Sequence, residues 1–145
     1  MGSLNSFIGQ RLYLDANVFI YYLEAFPAFV TILDELFGRL DNGTVLAVTS
    51  ELTLAEVLVK PLQAGNAASV GQYEQFLSDS GRLSVVPVTR ELLVSAARLR
   101  AETSMKLPDA IHVATAVASG CVACLTNDQR LRAGASLPIV RLSEL

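Results

Sequence analysis

Arg11-Leu12-Tyr13-Leu14-Asp15 is an apolar run that stops at a carboxylate. Its residues do not alternate between apolar and polar. A strand solvated on one face alternates, whereas a strand covered on both faces reads as a near-continuous apolar run. The run therefore predicts a short strand inside a sheet with helices on both sides. Similar runs recur at residues 44–49, 83–88 and 121–125, with a shorter one at 139–142. Between them lie helical patterns at 18–24 and 27–40, where Pro27 suits a helix start and Asp41-Asn42-Gly43 a stop. Ser50 can cap a further helix that Pro61 is expected to interrupt. Residues 66–80 read as helix with Gly81 as terminator. Thr89 can cap a helix to about residue 102, and Pro108 fits the first turn of one ending near Gly120. Strands separated by helices imply parallel pairing with right-handed crossovers, so the fold class is α/β with helices on both faces.

At 145 residues the chain is expected to be one domain spanning 1–145, with residues 1–10 a flexible or partly appended lead-in. With 52% hydrophobic and only 17% charged residues, disorder is excluded as the main state. The net charge of −3 leaves no general basic footprint for nucleic acid, although an acidic pocket can lower the count while its rim stays basic. The apolar stretches are too short or too interrupted to span a membrane, and the first ten residues lack the apolar segment of a signal peptide. A cytoplasmic protein with no membrane partner is the expectation. Cys121 and Cys124 form a C-x-x-C spacing, but the pair follows a helix and enters a strand. Core thiols are the simpler reading than a redox or zinc motif.

Four carboxylates interrupt the apolar pattern: Asp15, Glu56, Asp109 and Asp128. Burying a carboxylate costs several kcal/mol unless it is paired, hydrogen-bonded or metal-bound. Each has an ordinary alternative. Asp15 can cap a helix, Asp109 suits a helix's first turn, and Asp128 is a common turn residue. Glu56 has none of these, since its helix reads as apolar nearly all round. Asp15 and Asp128 follow predicted strands, at the carboxyl rim where open α/β sheets bind ligands. Together the four predict one acidic pocket for a hard divalent cation. Asn17 and Thr126 are candidate supporting groups. Lys60, Lys106, Arg130 and Arg132 are candidate phosphate contacts at the rim. His112, one turn beyond Asp109, reads as a packed or surface histidine rather than a base.

The motifs also carry a family resemblance. Tyr13-Leu14-Asp15-Ala16-Asn17 resembles the opening motif of PIN-domain ribonucleases. Ser50 with Leu54-Ala55-Glu56 resembles the second, Leu107-Pro108-Asp109-Ala110-Ile111-His112-Val113-Ala114 the third, and Thr126-Asn127-Asp128 the fourth. The length is similar to VapC-type toxins of toxin–antitoxin pairs. The resemblance implies a three-layer α/β/α sandwich with a short, mainly parallel sheet. It implies that Asp15, Glu56, Asp109 and Asp128 are the catalytic, metal-binding acids, with Mg²⁺ or Mn²⁺ as cofactor and Asn17 and Thr126 in support. It also implies an RNA substrate, an antitoxin protein partner and a homodimer.

The function expected from this is a metal-dependent endoribonuclease that hydrolyses phosphodiester bonds through an activated water. One alternative is a non-catalytic PIN-like module that binds RNA or protein. Another is a phosphotransfer domain with Asp15 as nucleophile, in which Glu56 has no role. The early aromatic residues Phe19, Tyr21, Tyr22, Phe26 and Phe29 exceed what a small core needs and predict an interface.

Overall fold

The computed structural model describes residues 3–128 and 137–145. The main elements in chain order are β1 (Arg11–Leu14), α1 (Ala16–Leu23), α2 (Val30–Asp41), β2 (Leu46–Ser50), α3 (Glu51–Gln63), α4 (Ala67–Phe76), β3 (Leu83–Val86), α5 (Arg90–Thr103), α6 (Leu107–Ala118), β4 (Ala123–Thr126) and β5 (Ile139–Arg141). Among the described residues the strands form one sheet in the order β3-β2-β1-β4-β5, and every pairing is parallel.

The side-chain alternation along β1 sorts the helices into two layers. Leu12 and Leu14 pack with Ala47, Leu83, Val85, Ala123 and Leu125 in one core, together with residues of α1 to α4. Tyr13 points the other way, into a second core with Val48, Cys124, and Val113 and Ala116 of α6. The sheet is thus covered on both faces, as its uninterrupted apolar strands require. The chain runs from β1 outward to β2 and β3, then returns through α5 and α6 to β4 on the other side of β1. Strand order therefore reverses between β1 and β4, and their carboxyl ends open the crevice where ligands bind in such sheets.

Several elements differ from their sequence expectation. Pro61 does not interrupt α3, which runs on to Gln63. The proline sits near the helix end, so only the bond to the Val57 carbonyl is lost, while Ala64 N–H still donates to the Lys60 carbonyl at 3.0 Å. Gly81 does not terminate α4, which ends at Phe76. Beyond it, the Asp79 carboxylate accepts from Val85 N–H at 2.7 Å and the Ser80 hydroxyl from Leu83 N–H at 3.1 Å. Such local side-chain bonds compete with helix continuation. Leu4–Phe7, within the stretch expected to be flexible, forms a 3-10 helix that buries Leu4. Among the described residues no single helix is long and apolar enough to cross a membrane.

Candidate active site

Asp15 sits where β1 hands over to α1. Its backbone N–H still donates to the Leu125 carbonyl on β4 at 3.1 Å. Its Oδ1 accepts from Ala16 N–H at 2.7 Å, capping α1. Its Oδ2 accepts from the Thr126 hydroxyl at 2.7 Å. The capping role and the site role thus belong to one side chain. Asn17 bridges the two strand ends. Its Nδ2 donates toward Thr126 Oγ1 at 3.3 Å and Asp15 Oδ2 at 3.5 Å, and its Oδ1 accepts from Asn127 N–H at 3.1 Å. Thr126, fully buried at the end of β4, also accepts from Asp128 N–H at 3.0 Å. These bonds orient the Asp15 carboxylate and hold the segment carrying Asp128 beside it.

Below Asp15 lie two buried hydroxyls that the sequence reading did not single out. Thr49 donates to the Leu14 carbonyl at 2.8 Å and lies 2.7 Å from the Thr53 hydroxyl. They tie β1 to β2 and to the first turns of α3, the helix that carries Glu56.

Glu56 departs from expectation. It is not sunk in an all-apolar helix, because its side chain is 35% exposed and Ala55, Val59 and Lys60 beside it are exposed too. Its Oε1 lies 2.6 Å from His112 Nε2. Glu51, in the same helix's first turn, is an exposed helix-start charge.

His112 is the site residue the sequence reading missed. It is 2% exposed, with Nδ1 2.5 Å from the Tyr13 hydroxyl and Nε2 4.0 Å from Asp15 Oδ1. The Tyr13 ring meets it edge-on. Burial pushes the imidazole pKa down. The Glu56 hydrogen bond and the charges of Asp15, Glu56 and Asp109 push it up, and the net direction is up from the ordinary value. Tyr13, fully buried, has its phenol pushed well above the ordinary value, by burial first and neighbouring negative charge second. The available signal was spacing. His112 stands three residues after Asp109, on the same side of a helix.

One ligand atom each from Asp15, Glu56 and His112 lies within 4.8 Å of the other two. Two carboxylate oxygens with one imidazole nitrogen form a donor set suited to a divalent first-row ion as well as to Mg²⁺. Asp109 is half-buried in the first turn of α6, close enough for its charge to act on His112. Asp128 is half-buried, two residues beyond Thr126. Lys60 is exposed and lines a 440 Å³ groove with Glu56, Ile20, Tyr21 and Phe26. Lys106 is exposed just before α6. Arg130 and Arg132 lie outside the described residues.

The early aromatics divide. Phe19 is fully buried and Phe26 is 44% exposed, while Tyr21, Tyr22 and Phe29 pack partly buried against the main core. Cys124 is buried and Cys121 half-buried, both as free thiols. Burial pushes the Cys121 thiol up to about 11, the opposite of what a reactive cysteine needs.

A parallel α/β sheet with acidic side chains gathered at its switch point is the class of protein that these features define. The chain belongs to the PIN domain family, whose pattern matches residues 12–137. Among solved structures, it is similar to VapBC2 from Rickettsia felis bound to a promoter DNA fragment (17% identity, 90% of this chain and 98% of that one, TM-score 0.68). It is similar to Mycobacterium tuberculosis VapC20, a toxin that cleaves the sarcin-ricin loop (16% identity, 87% and 96%, TM-score 0.69). It is also similar to VapBC-5, a toxin–antitoxin system from the same organism (25% identity, 91% and 98%, TM-score 0.56). Among the curated proteins none matches the chain.

Proposed function

We propose that this protein is a metal-dependent endoribonuclease acting as the toxin of a toxin–antitoxin pair in the cytoplasm. The observation that carries the reading is the convergence of Asp15, at the end of β1, and Glu56, on α3, on one point of the sheet's carboxyl rim. Family membership and the toxin–antitoxin structures of the same fold support it.

Asp15 and Glu56, with Asp109 and Asp128, would hold Mg²⁺ or Mn²⁺. Bound there, the ion supplies an activated water and offsets the charge of the scissile phosphate. The chain's own part is orientation. Thr126 and Asn17 fix the Asp15 carboxylate through the bonds described above. Lys60 and Lys106 would meet the RNA backbone, with Arg130 and Arg132 as further candidates. A phosphotransfer domain with Asp15 as nucleophile would leave Glu56, within reach of the same point, without a role, which disfavours that reading. The groove beside Glu56, walled by Ile20, Tyr21, Phe26 and Tyr73, suits an apolar segment of an antitoxin. A homodimer completes the proposed assembly.

The test is RNA cleavage by the purified chain with Mg²⁺, with Mn²⁺, and after removal of metal by chelator. Cleavage with either ion and none in chelator is expected. Undiminished cleavage by metal-stripped protein, or none under any condition while Asp15→Asn behaves as wild type in cells, would defeat the reading.

A further inference from the structure

Glu56 poses a positional problem. A glutamate on the open side of a helix samples several rotamers, and holding it in one costs side-chain entropy. A ligand for a small divalent ion has to be placed within a few tenths of an ångström. Neither α3 nor the neighbouring Lys60 supplies that restraint. Among the described residues the hydrogen-bond partner of the Glu56 carboxylate is His112, which approaches from the opposite helical layer.

His112 has the properties a restraint needs. It is buried, and it belongs to a stretch of α6, residues 110–116, that is buried at every position. Its ring is fixed at the far nitrogen by Tyr13, itself fully buried on β1. Tyr13 is two residues before Asp15 on the same strand. The strand that places Asp15 therefore also sets the ring that places Glu56. Because an ionised carboxylate is an acceptor only, Nε2 carries the proton and donates to Glu56 whether the imidazole is neutral or charged. The other ring nitrogen is served in either state, since the Tyr13 hydroxyl can donate or accept.

We infer that His112, locked by Tyr13, is a positioning residue that presents the Glu56 carboxylate to the divalent ion across the sheet rim from Asp15. The inference rests on the metal-site reading above. The separation of 2.6 Å between Nε2 and Oε1 is that of a direct N–H···O bond. Two ligands sharing one ion at about 2.1 Å would stand roughly 3 Å apart, so the geometry favours a proton, not a metal, between them. Glu56 Oε2 is left for the ion.

The test measures Mn²⁺ binding by calorimetry and by electron paramagnetic resonance, on the whole chain, with folding checked by thermal melts. His112→Leu fills the space without a donor and should weaken Mn²⁺ binding at least tenfold, and Glu56→Gln should do the same. The double variant should bind no worse than either alone. His112→Gln, which returns an N–H near the Nε2 position, should recover most of the affinity, a rescue that a merely structural role would not predict. If His112→Leu fails to fold, Tyr13→Phe takes its place and should weaken binding several-fold. Wild-type affinity in folded His112→Leu or Tyr13→Phe overturns the inference, as do additive losses in the double variant. Nitrogen bound directly to Mn²⁺ in pulsed spectra also overturns it, since His112 would then be a ligand. RNA cleavage by the wild type is scored separately. Binding that depends on His112 without cleavage removes the ribonuclease reading and leaves the positioning role. Cleavage with binding indifferent to His112 does the reverse.

Discussion

Helices α3 and α6 bring side chains to the same rim under opposite constraints. In α6, residues 110–116 are buried throughout, so His112 is fixed by packing on all sides. In α3 the buried residues are only Thr53 and Val57, and Glu56 lies on the open side. A group on α6 cannot move without disturbing the core. A group on α3 is placed by whatever it bonds to. The first arrangement suits fixed reference points, and the second suits a ligand that must close on an ion. The contrast also separates two costs. Changes within the buried stretch 110–116 of α6 should cost stability and activity together, whereas changes at Glu56 on α3, or at half-buried Asp109 before that stretch, should appear in activity alone.

The sharpest break in that contrast would come from the acids. Asp15→Asn and Asp109→Asn each remove a charge and keep the shape. Each is expected to reduce RNA cleavage by more than the roughly 10–100-fold typical of losing an outer partner of a metal site, with the fold intact by circular dichroism. Relief of repulsion between neighbouring acids should leave the thermal midpoint equal or higher. Cleavage within twofold of wild type in Asp109→Asn would remove Asp109 from the site.

Next in size is the stability difference. His112→Ala removes the imidazole bonded to the buried Tyr13 hydroxyl, which keeps Thr49 and Thr53 beside it, and opens a cavity, at a cost of about 1–3 kcal/mol in all. Glu56→Gln, being partly exposed, should stay within about 0.5 kcal/mol of wild type. Chemical denaturation of both variants checks this. Equal destabilisation would show that the two helices are constrained alike.

Glu56→Gln should nonetheless lower cleavage by about tenfold, which is about 1.4 kcal/mol, while Glu51→Gln on the same helix leaves it unchanged. A reversal of these two results would mean that the other glutamate of α3 serves the site. The smallest effect belongs to Lys60→Ala. As an exposed charge beside the groove, it should weaken RNA binding across sequences and reduce the salt dependence by a slope of roughly 0.7. Filter binding at several salt concentrations measures it, and an unchanged slope would take Lys60 off the RNA path.

The local sequence carried much of this architecture because its signals were local. Apolar runs such as Arg11–Leu14 read as strands covered on both faces, and the side chains of Ser50 and Thr89 cap α3 and α5 as their positions suggested. Asp15 and Asp128 were legible as rim residues from strand ends alone, and they follow β1 and β4 directly or within two residues. Misreadings arose where a distant or competing contact prevailed. Gly81 lost its terminator role because Asp79 and Ser80 bonded to the start of β3. Pro61 was absorbed because it fell close to a helix end.

Periodicity and residue type determined the α/β class and the order of strands along the chain, and they singled out the four acids as candidates, since each depends on neighbours within a few residues. Which acid meets which partner was settled only by tertiary structure. Glu56 and His112 are 56 residues apart and bond at 2.6 Å, and Tyr13 reaches the same ring across 99 residues. A lone histidine in an apolar helix has no local feature that distinguishes packing from function. Its role depends on what the other side of the sheet brings to its second nitrogen, and that is set by the crossing of β1, α3 and α6 at one rim.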